Sequence, residues 1–198
     1  MRIGKHKEEA SKKSKARILK AASKTFVEKG FAGTSLADIA KKLGINQSLI
    51  YHYFENKSAL WESVKSEKLK DYHEKHYIFL EPGQGLLFFL KYYLSSGYKY
   101  FRYNPDTVRI LSWESLEKRE GASSVPLPEQ SHLITTIKEL QTKGEIRRTL
   151  DPLVAALMLD NAIRGPFFDD YAALDKHPDL EDKYIALVIH CLMRALQP

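Results

Sequence analysis

Apolar side chains recur at helical spacing along most of the chain, and glycine, proline and asparagine punctuate them. Ile18, Ala22 and Phe26, flanked by Leu19 and Val27, mark one face of a helix that starts near Glu9. Gly30 stands just past its last turn, the usual place for a terminating glycine. Thr34 or Ser35 then caps a short helix carrying Leu36, Ile39, Ala40 and Leu43. Gly44 breaks the chain again, and Asn46 caps the segment Gln47 to Tyr53. Asn56 caps a fourth helix with Leu60, Trp61, Val64 and Leu69 on one side, predicted to run to about Phe79 before Glu81-Pro82-Gly83.

Beyond Gly83 the pattern changes character. Leu86 to Tyr103 is apolar or aromatic almost all round, as in a helix enclosed by others. Asn104-Pro105 breaks it, and a helix with Val108, Ile110, Leu111, Trp113 and Leu116 follows. Gly121 to Pro128 reads as a loop, and a helix through Leu133, Ile137 and Leu140 ends at Gly144. Asp151-Pro152 opens the next helix, with the acid as cap and proline in its first position, and Gly165-Pro166 is expected to end it after Arg164. An acidic loop with Asp169, Asp170 and Asp175 precedes a last helix, Leu180 to Leu196. There is no strand alternation and no internal repeat. The expected architecture is all-α with about nine helices. A flexible basic arm (1–8) leads into a three-helix head (9–56), followed by a helical-bundle body (57–198).

Charge sharpens this division. Residues 1–70 hold 16 Lys/Arg and 7 Asp/Glu, a net of +9, so the rest of the chain carries −3 of the total +6. A basic head on a mildly acidic body points to a polyanion met by the head alone. The one cysteine, Cys191, rules out an internal disulfide and reads as a buried core thiol. The N-terminus lacks an apolar signal core and no apolar run approaches a membrane span, so the expectation is a soluble, cytoplasmic protein with no membrane partner.

Two short helices joined by a glycine-containing turn fit a helix-turn-helix. Ile39, Ala40, Leu43, Ile45 and Ile50 would form its small core, leaving Gln47, Ser48, Leu49, Tyr51 and His52 on or near the outer surface of the second helix. Such a helix reads base edges from its N-terminal residues, which makes Gln47 and Ser48 the natural readers. A glutamine amide suits adenine N6 and N7, and leucine suits a thymine methyl. Thr34 and Ser35 at a helix N-terminus, the hydroxyls of Tyr51 and Tyr53, and the Lys57 ammonium suit phosphates, which set position rather than sequence.

Residues 30–60, GFAGTSLADIAKKLGINQSLIYHYFENKSAL, resemble the N-terminal domain of the tetracycline-repressor family. The matching positions are Gly30-Phe31, Thr34-Ser35, Ile39-Ala40, Gly44-Ile45, Tyr51, Phe54, Lys57 and Leu60, with Phe26 upstream. The resemblance implies a homodimer whose two heads enter adjacent major grooves of a double-stranded operator, usually as a repressor. It assigns base reading to Gln47, Ser48, Leu49 and Tyr51, and phosphate contacts to Thr34, Ser35, Tyr51, Tyr53 and Lys57. Ser48 and Leu49 stand where the family often has glycine and threonine, so no relative's operator transfers to this chain.

The body resembles the family more loosely, through Gly144-Glu145-Ile146-Arg147 and Leu150-Asp151-Pro152. The resemblance implies effector binding and dimerisation there, with the last two helices forming a four-helix interface. Val154, Leu157, Met158, Tyr184, Leu187, Val188, Cys191 and Leu192 supply apolar surface for a core and an interface. Aromatic residues crowd the middle of the chain; Phe89, Tyr93, Trp113 and Phe167 are candidates for lining a pocket for an apolar or aromatic small-molecule effector, and core packing is the alternative for each. Glu114, Asn161 and Arg164 are candidate polar contacts or surface residues. His73 and His76, three apart, lack a third ligand, so no metal is expected. No cofactor is implied, and no phosphate loop, zinc-protease motif or nucleophile elbow argues for catalysis. The reading is therefore a ligand-released repressor; a ligand-independent protein that tethers a partner to DNA is its rival.

Overall fold

The computed structural model describes residues 2–77, 84–117, 132–168 and 177–198, apart from the side chains of residues 2–5, 7, 71, 73–77, 168 and 178. Among these the chain forms nine α-helices and no strand: α1 (Arg2–Lys29), α2 (Leu36–Leu43), α3 (Gln47–Tyr53), α4 (Lys57–Tyr77), α5 (Leu86–Tyr103), α6 (Pro105–Glu117), α7 (His132–Thr142), α8 (Pro152–Phe168) and α9 (Glu181–Leu196). A single 3-10 turn, Pro178–Leu180, precedes α9. The segments predicted as the end of the fourth helix beyond 77, the Gly121–Pro128 loop and the acidic loop with Asp169, Asp170 and Asp175 lie outside the described residues.

The chain divides into two compact units. One takes Met1–Lys70 with Arg109–Ala122, the other Asp71–Val108 with Ser123–Pro198. The first is larger than a 9–56 head, because it also takes in about two-thirds of α4 and of α6. Its core is built from Ile18, Ala22 and Phe26 of α1, Ile39 and Ala40 of α2, Ile50 of α3, Leu60, Trp61 and Val64 of α4, and Ile110 of α6. Phe26 meets the Trp61 ring edge-on at 4.9 Å between centroids. That geometry adds quadrupole attraction to the buried area.

Helix α1 begins at Arg2, not near Glu9. Residues 2–8, expected as an arm because nothing apolar anchors them, continue the helix. Residues 5–16 are mostly lysine, glutamate and alanine, and Lys12 lies 2.7 Å from Glu8 one turn earlier. Such spacing supports a helix without any core contact.

In the second unit α5 packs against α8 and α9, and α7 packs against α8. Phe89, Leu90, Tyr93, Leu94, Tyr98 and Phe101 of α5 are buried. Leu87, Phe88 and Tyr103 are exposed, so α5 is enclosed on most of its circumference but not all of it. Its N-terminus has Gly85 in the cap position with no side-chain cap of its own. The Glu145 carboxylate, from the turn after α7, accepts the Leu86 N–H and takes over that task.

Helix α8 starts as its sequence dictates: Asp151 Oδ1 accepts the Leu153 N–H at 2.7 Å. Its end differs. The helix passes through Gly165-Pro166 to Phe168. Pro166 has no N–H for the carbonyl of Ala162 four residues earlier, a loss that normally stops a helix. Here the Tyr184 hydroxyl of α9 donates to the Ala162 carbonyl at 2.7 Å, so the orphaned acceptor is satisfied and the helix continues. Burial also pushes the Tyr184 phenol above its ordinary pKa.

Candidate DNA interface

The reading helix is positioned by turns whose residues each have an identifiable task. Ser35 holds an extended conformation and its Oγ accepts the Asp38 N–H at 3.0 Å, starting α2. Gly44 ends α2 in the left-handed region at φ 62°, a conformation that costs glycine nothing, and its N–H reaches the carbonyls of Ala40 and Lys41. Asn46 Oδ1 accepts the Ser48 N–H at 2.9 Å and starts α3. Asn56 Oδ1 does the same for Ala59 at 2.8 Å at the head of α4.

Helix α3 has one buried face and one open face. Ile50 is fully buried, while Ser48, Tyr51 and His52 are exposed, Tyr51 at 52%. Gln47 is half-buried. Leu49 and Tyr53 are half-buried and pack on the head's core, so Leu49 offers only part of its side chain outward. The His52 ring meets Tyr53 edge-on at 5.0 Å. Of the expected base readers, the structure thus brings Ser48 and Tyr51 fully to the surface, and Gln47 and Leu49 partly.

The expected phosphate group divides in the same way. Ser35 and Tyr51 are exposed. Thr34 is not: it is 2% exposed, and its hydroxyl donates to the Gly30 carbonyl at 2.7 Å. The side chain expected to face a phosphate instead closes the turn after α1. The Lys57 ammonium, half-buried, donates to the carbonyls of Phe31 and Thr34, each at 2.9 Å, and sits 4.2 Å from the centre of the Phe31 ring. Two of its three donors are therefore occupied by the same turn, leaving one for a phosphate.

Residues of α6 that sequence reasoning places elsewhere, or misses, complete this turn and the core behind it. Trp113, a candidate for the effector pocket, instead packs on the head's core and donates from Nε1 to the Val27 carbonyl at 3.2 Å. Glu117 Oε1 accepts the Ala32 N–H at 3.1 Å. Gly30, at φ 70°, leaves the slot they fill: a Cβ there would come within 2.8 Å of the Trp113 ring. Only glycine suits both the backbone and the space. Glu114, a candidate pocket group, is buried against Lys65 of α4, which also pairs with Glu62 at 2.8 Å. The one available signal is Gly30 itself, which marks a close approach without naming the partner.

The remaining candidates lie in the second unit. Phe89 and Tyr93 are almost wholly buried and tilt against each other at 5.7 Å, and half-buried Phe167 meets Tyr98 at 4.8 Å. A cleft of about 850 Å³ opens instead among Leu86, Phe88, Lys91, Glu145, Met193 and Gln197, touching none of the four residues expected to line a pocket. Asn161 is exposed, and its side-chain N–H donates to the Leu157 carbonyl at 2.8 Å. Arg164 pairs with Asp160 at 3.0 Å; burial nevertheless pushes the Asp160 carboxyl above its ordinary pKa, against the opposing pull of Arg164. Val154, Leu157 and Met158 of α8 and Leu187 of α9 are exposed. Val188 is half-buried, and Cys191, expected as a core thiol, is exposed on the same helix. Among the described residues no group of three His, Cys, Asp or Glu could hold a metal, and no helix is long and apolar enough to cross a membrane.

Comparison with known proteins agrees with this geometry. The tetR family of bacterial regulatory proteins matches residues 18–64, and a tetracyclin repressor-like C-terminal domain matches residues 90–165. The chain is similar to the HTH-type transcriptional repressor SCO4008 of Streptomyces coelicolor, 28% identical over 138 residues that make up 67% of each protein. It is 40% identical to the transcriptional regulator TtgR of Pseudomonas putida over 70 residues, 35% of this chain but only 31% of TtgR. The fold is shared with GusR of Salmonella enterica (TM-score 0.74, 24% identity, 92% of this chain and 95% of that one). It is shared too with a putative tetR family regulator of a Shewanella species (TM-score 0.73, 20% identity, 92% and 97%). The N-terminal match falls on α1 to α4, which include the reading helix, and the C-terminal match runs from α5 to α8 and takes in the part of α6 that belongs to the first unit. The protein therefore belongs to the tetracycline-repressor family of DNA-binding transcriptional regulators.

Proposed function

We propose that the protein is a homodimeric repressor that binds a near-palindromic operator and is released from it by a small-molecule effector. The observation that carries the DNA half is the two-faced reading helix: Ile50 is anchored in the core while Ser48, Tyr51 and His52 face outward. Gln47, Ser48, Leu49 and Tyr51 read bases in the major groove. Ser35, Tyr51, Tyr53 and the remaining donor of Lys57 hold phosphates, and Thr34 contributes through the turn that it closes. Two such heads spaced about 34 Å apart match successive major grooves on one side of a duplex. The apolar strip of Val154, Leu157, Met158 and Leu187, continued by Val188 and Cys191, supports pairing of two copies through α8 and α9.

Release requires an effector that favours a body conformation in which the heads no longer match the operator, and affinity falls only by that preference. Phe89, Tyr93 and Phe167 are the pocket residues in this reading. The tight packing of Phe89 and Tyr93 favours the rival, a ligand-independent tether, because these two rings already fill the space between them. One set of binding measurements separates the ideas. An operator selected from a random duplex pool is expected to lose about 1–3 kcal/mol of affinity with Gln47→Ala, with relaxed preference at one base pair. A metabolite set that raises the melting temperature and weakens operator binding identifies a sensor; a set that does neither identifies a tether. Wild-type affinity and base preference in Gln47→Ala would remove α3 from the role of reader.

A further inference from the structure

Helix α1 is longer than the head needs. Its first core residue is Ile18, and none of the described side chains before it belongs to the buried cluster. That extension holds seven cations, Arg2, Lys5, Lys7, Lys12, Lys13, Lys15 and Arg17, against two acids, Glu8 and Glu9, a net of +5. Lys12, Lys13, Lys15 and Arg17 are exposed; Lys12 is paired with Glu8, and Lys13 and Arg17, four apart, make no ion pair among the described residues. A charged stretch of this kind, held by helix propensity and the Lys12–Glu8 pair and not by a core, keeps its other exposed cations available to a polyanion.

The geometry also places this helix. The Lys15 ammonium lies 5.5 Å from the centre of the Phe54 ring, and Phe54 is the residue that ends the reading helix α3. The extension therefore leaves the head beside the C-terminal end of the reading helix, away from Gln47 and Ser48 at its other end. Its 16 residues reach about 24 Å at 1.5 Å per residue, about seven base pairs of duplex. A membrane surface does not suit it, because Ile3 is its sole large apolar residue and an interfacial helix needs an apolar face.

We propose that residues 2–17 form a second contact with the same duplex, a cationic helix lying on the phosphates that flank each operator half-site. The proposal rests on the assignment of α3 as the reading helix. Contacts of this kind are blind to sequence and add steeply to the salt dependence.

The test uses the full chain and an operator selected by it from a random pool. Two duplexes are compared by fluorescence anisotropy over a range of salt: one ends at the operator's edges, the other carries about ten base pairs of unselected sequence on each side, one helical turn. The native protein is expected to bind the longer duplex about tenfold more tightly at low salt, with a steeper slope of log K against log salt. The variant Lys5→Gln/Lys7→Gln/Lys12→Gln/Lys13→Gln keeps residues of similar helix propensity. It is expected to lose the gain from flanking DNA, with a slope shallower by about 0.9 for each phosphate that is no longer neutralised. Its melting temperature and its preference for operator over scrambled sequence should not change. A native protein indifferent to the flanks, or a variant that keeps the native gain, overturns the proposal. A protein that selects no sequence at all overturns the reading helix as well, and the pool experiment reveals that before any variant is made.

Discussion

The two units of this protein differ in what their polar side chains brace and in what is left facing outward. In the head, polar atoms brace one turn. Lys57 donates to the carbonyls of Phe31 and Thr34, Thr34 donates to Gly30, and Glu117 takes the N–H of Ala32. What that bracing leaves outward is again polar, with Ser35, Ser48, Tyr51 and His52 all exposed. In the body, polar side chains repair the ends and breaks of helices. Glu145 caps α5, Gln141 donates to the carbonyls of Arg147 and Leu150, and Tyr184 fills the gap left by Pro166. The outward face of α8 is then free to carry Leu153, Val154, Leu157 and Met158, and Leu187 of α9 is exposed as well. The difference supports the proposed partners: a polar face on a basic head suits a hydrated polyanion, whereas exposed leucine, valine and methionine suit another protein surface.

The largest effect is expected where that apolar strip is broken. Leu157→Glu with Leu187→Glu places two carboxylates per protomer on the proposed interface, and each buried position is worth about 2 kcal/mol or more. Over both copies, the dissociation constant of the dimer should rise more than about a thousandfold. Light scattering at micromolar protein should report a monomer with native helix content. A variant that scatters as native does would move the interface elsewhere.

Much of the head was legible because its signals are local. Ser35, Asn46 and Asn56 cap the helices that they precede in sequence, and Gly44 adopts the backbone that only its type adopts freely. The long-range parts were not legible. Trp113 and Glu114 look like pocket residues in a linear reading, yet one packs against the head beside Gly30 and the other against Lys65. Thr34 has the right chemistry for a phosphate and is consumed by the turn. In the body, Pro166 reads as a helix end because nothing nearby in sequence announces Tyr184, 18 residues later, as the donor that makes the break tolerable. Amphipathic pattern also misjudged Cys191: a residue on an apolar face is buried only if that face is covered, and in a single chain this one is open.

A second, smaller effect tests the head's bracing. Lys65 and Glu114 are buried together, and removing one charge leaves the other desolvated with less to offset it. Lys65→Met should lower the unfolding free energy of the protein by about 3–5 kcal/mol. Pairing it with Glu114→Leu should restore most of that loss, since two apolar side chains replace the pair without an orphaned charge. Denaturant midpoints of the single and double variants decide the point. An equal loss in both would mean that packing around α4 and α6, not the charge pair, sets the cost.

The smallest effect is the most specific. Tyr184→Phe removes one oxygen and leaves the ring that meets Tyr98 at 6.3 Å. The Ala162 carbonyl then has neither Pro166 nor Tyr184 as a donor, and an unsatisfied acceptor in a partly buried helix costs about 1–2 kcal/mol. Replacing Pro166 by alanine in the same background returns an N–H four residues beyond Ala162. The double variant Tyr184→Phe/Pro166→Ala should therefore recover at least the stability that Tyr184→Phe alone loses, whereas Pro166→Ala in the native background should gain less. Comparing the four unfolding free energies as a double-mutant cycle isolates the coupling between the two positions. A coupling indistinguishable from zero would mean that the hydroxyl and the proline do not share the Ala162 carbonyl, and that α8 survives Pro166 by packing alone.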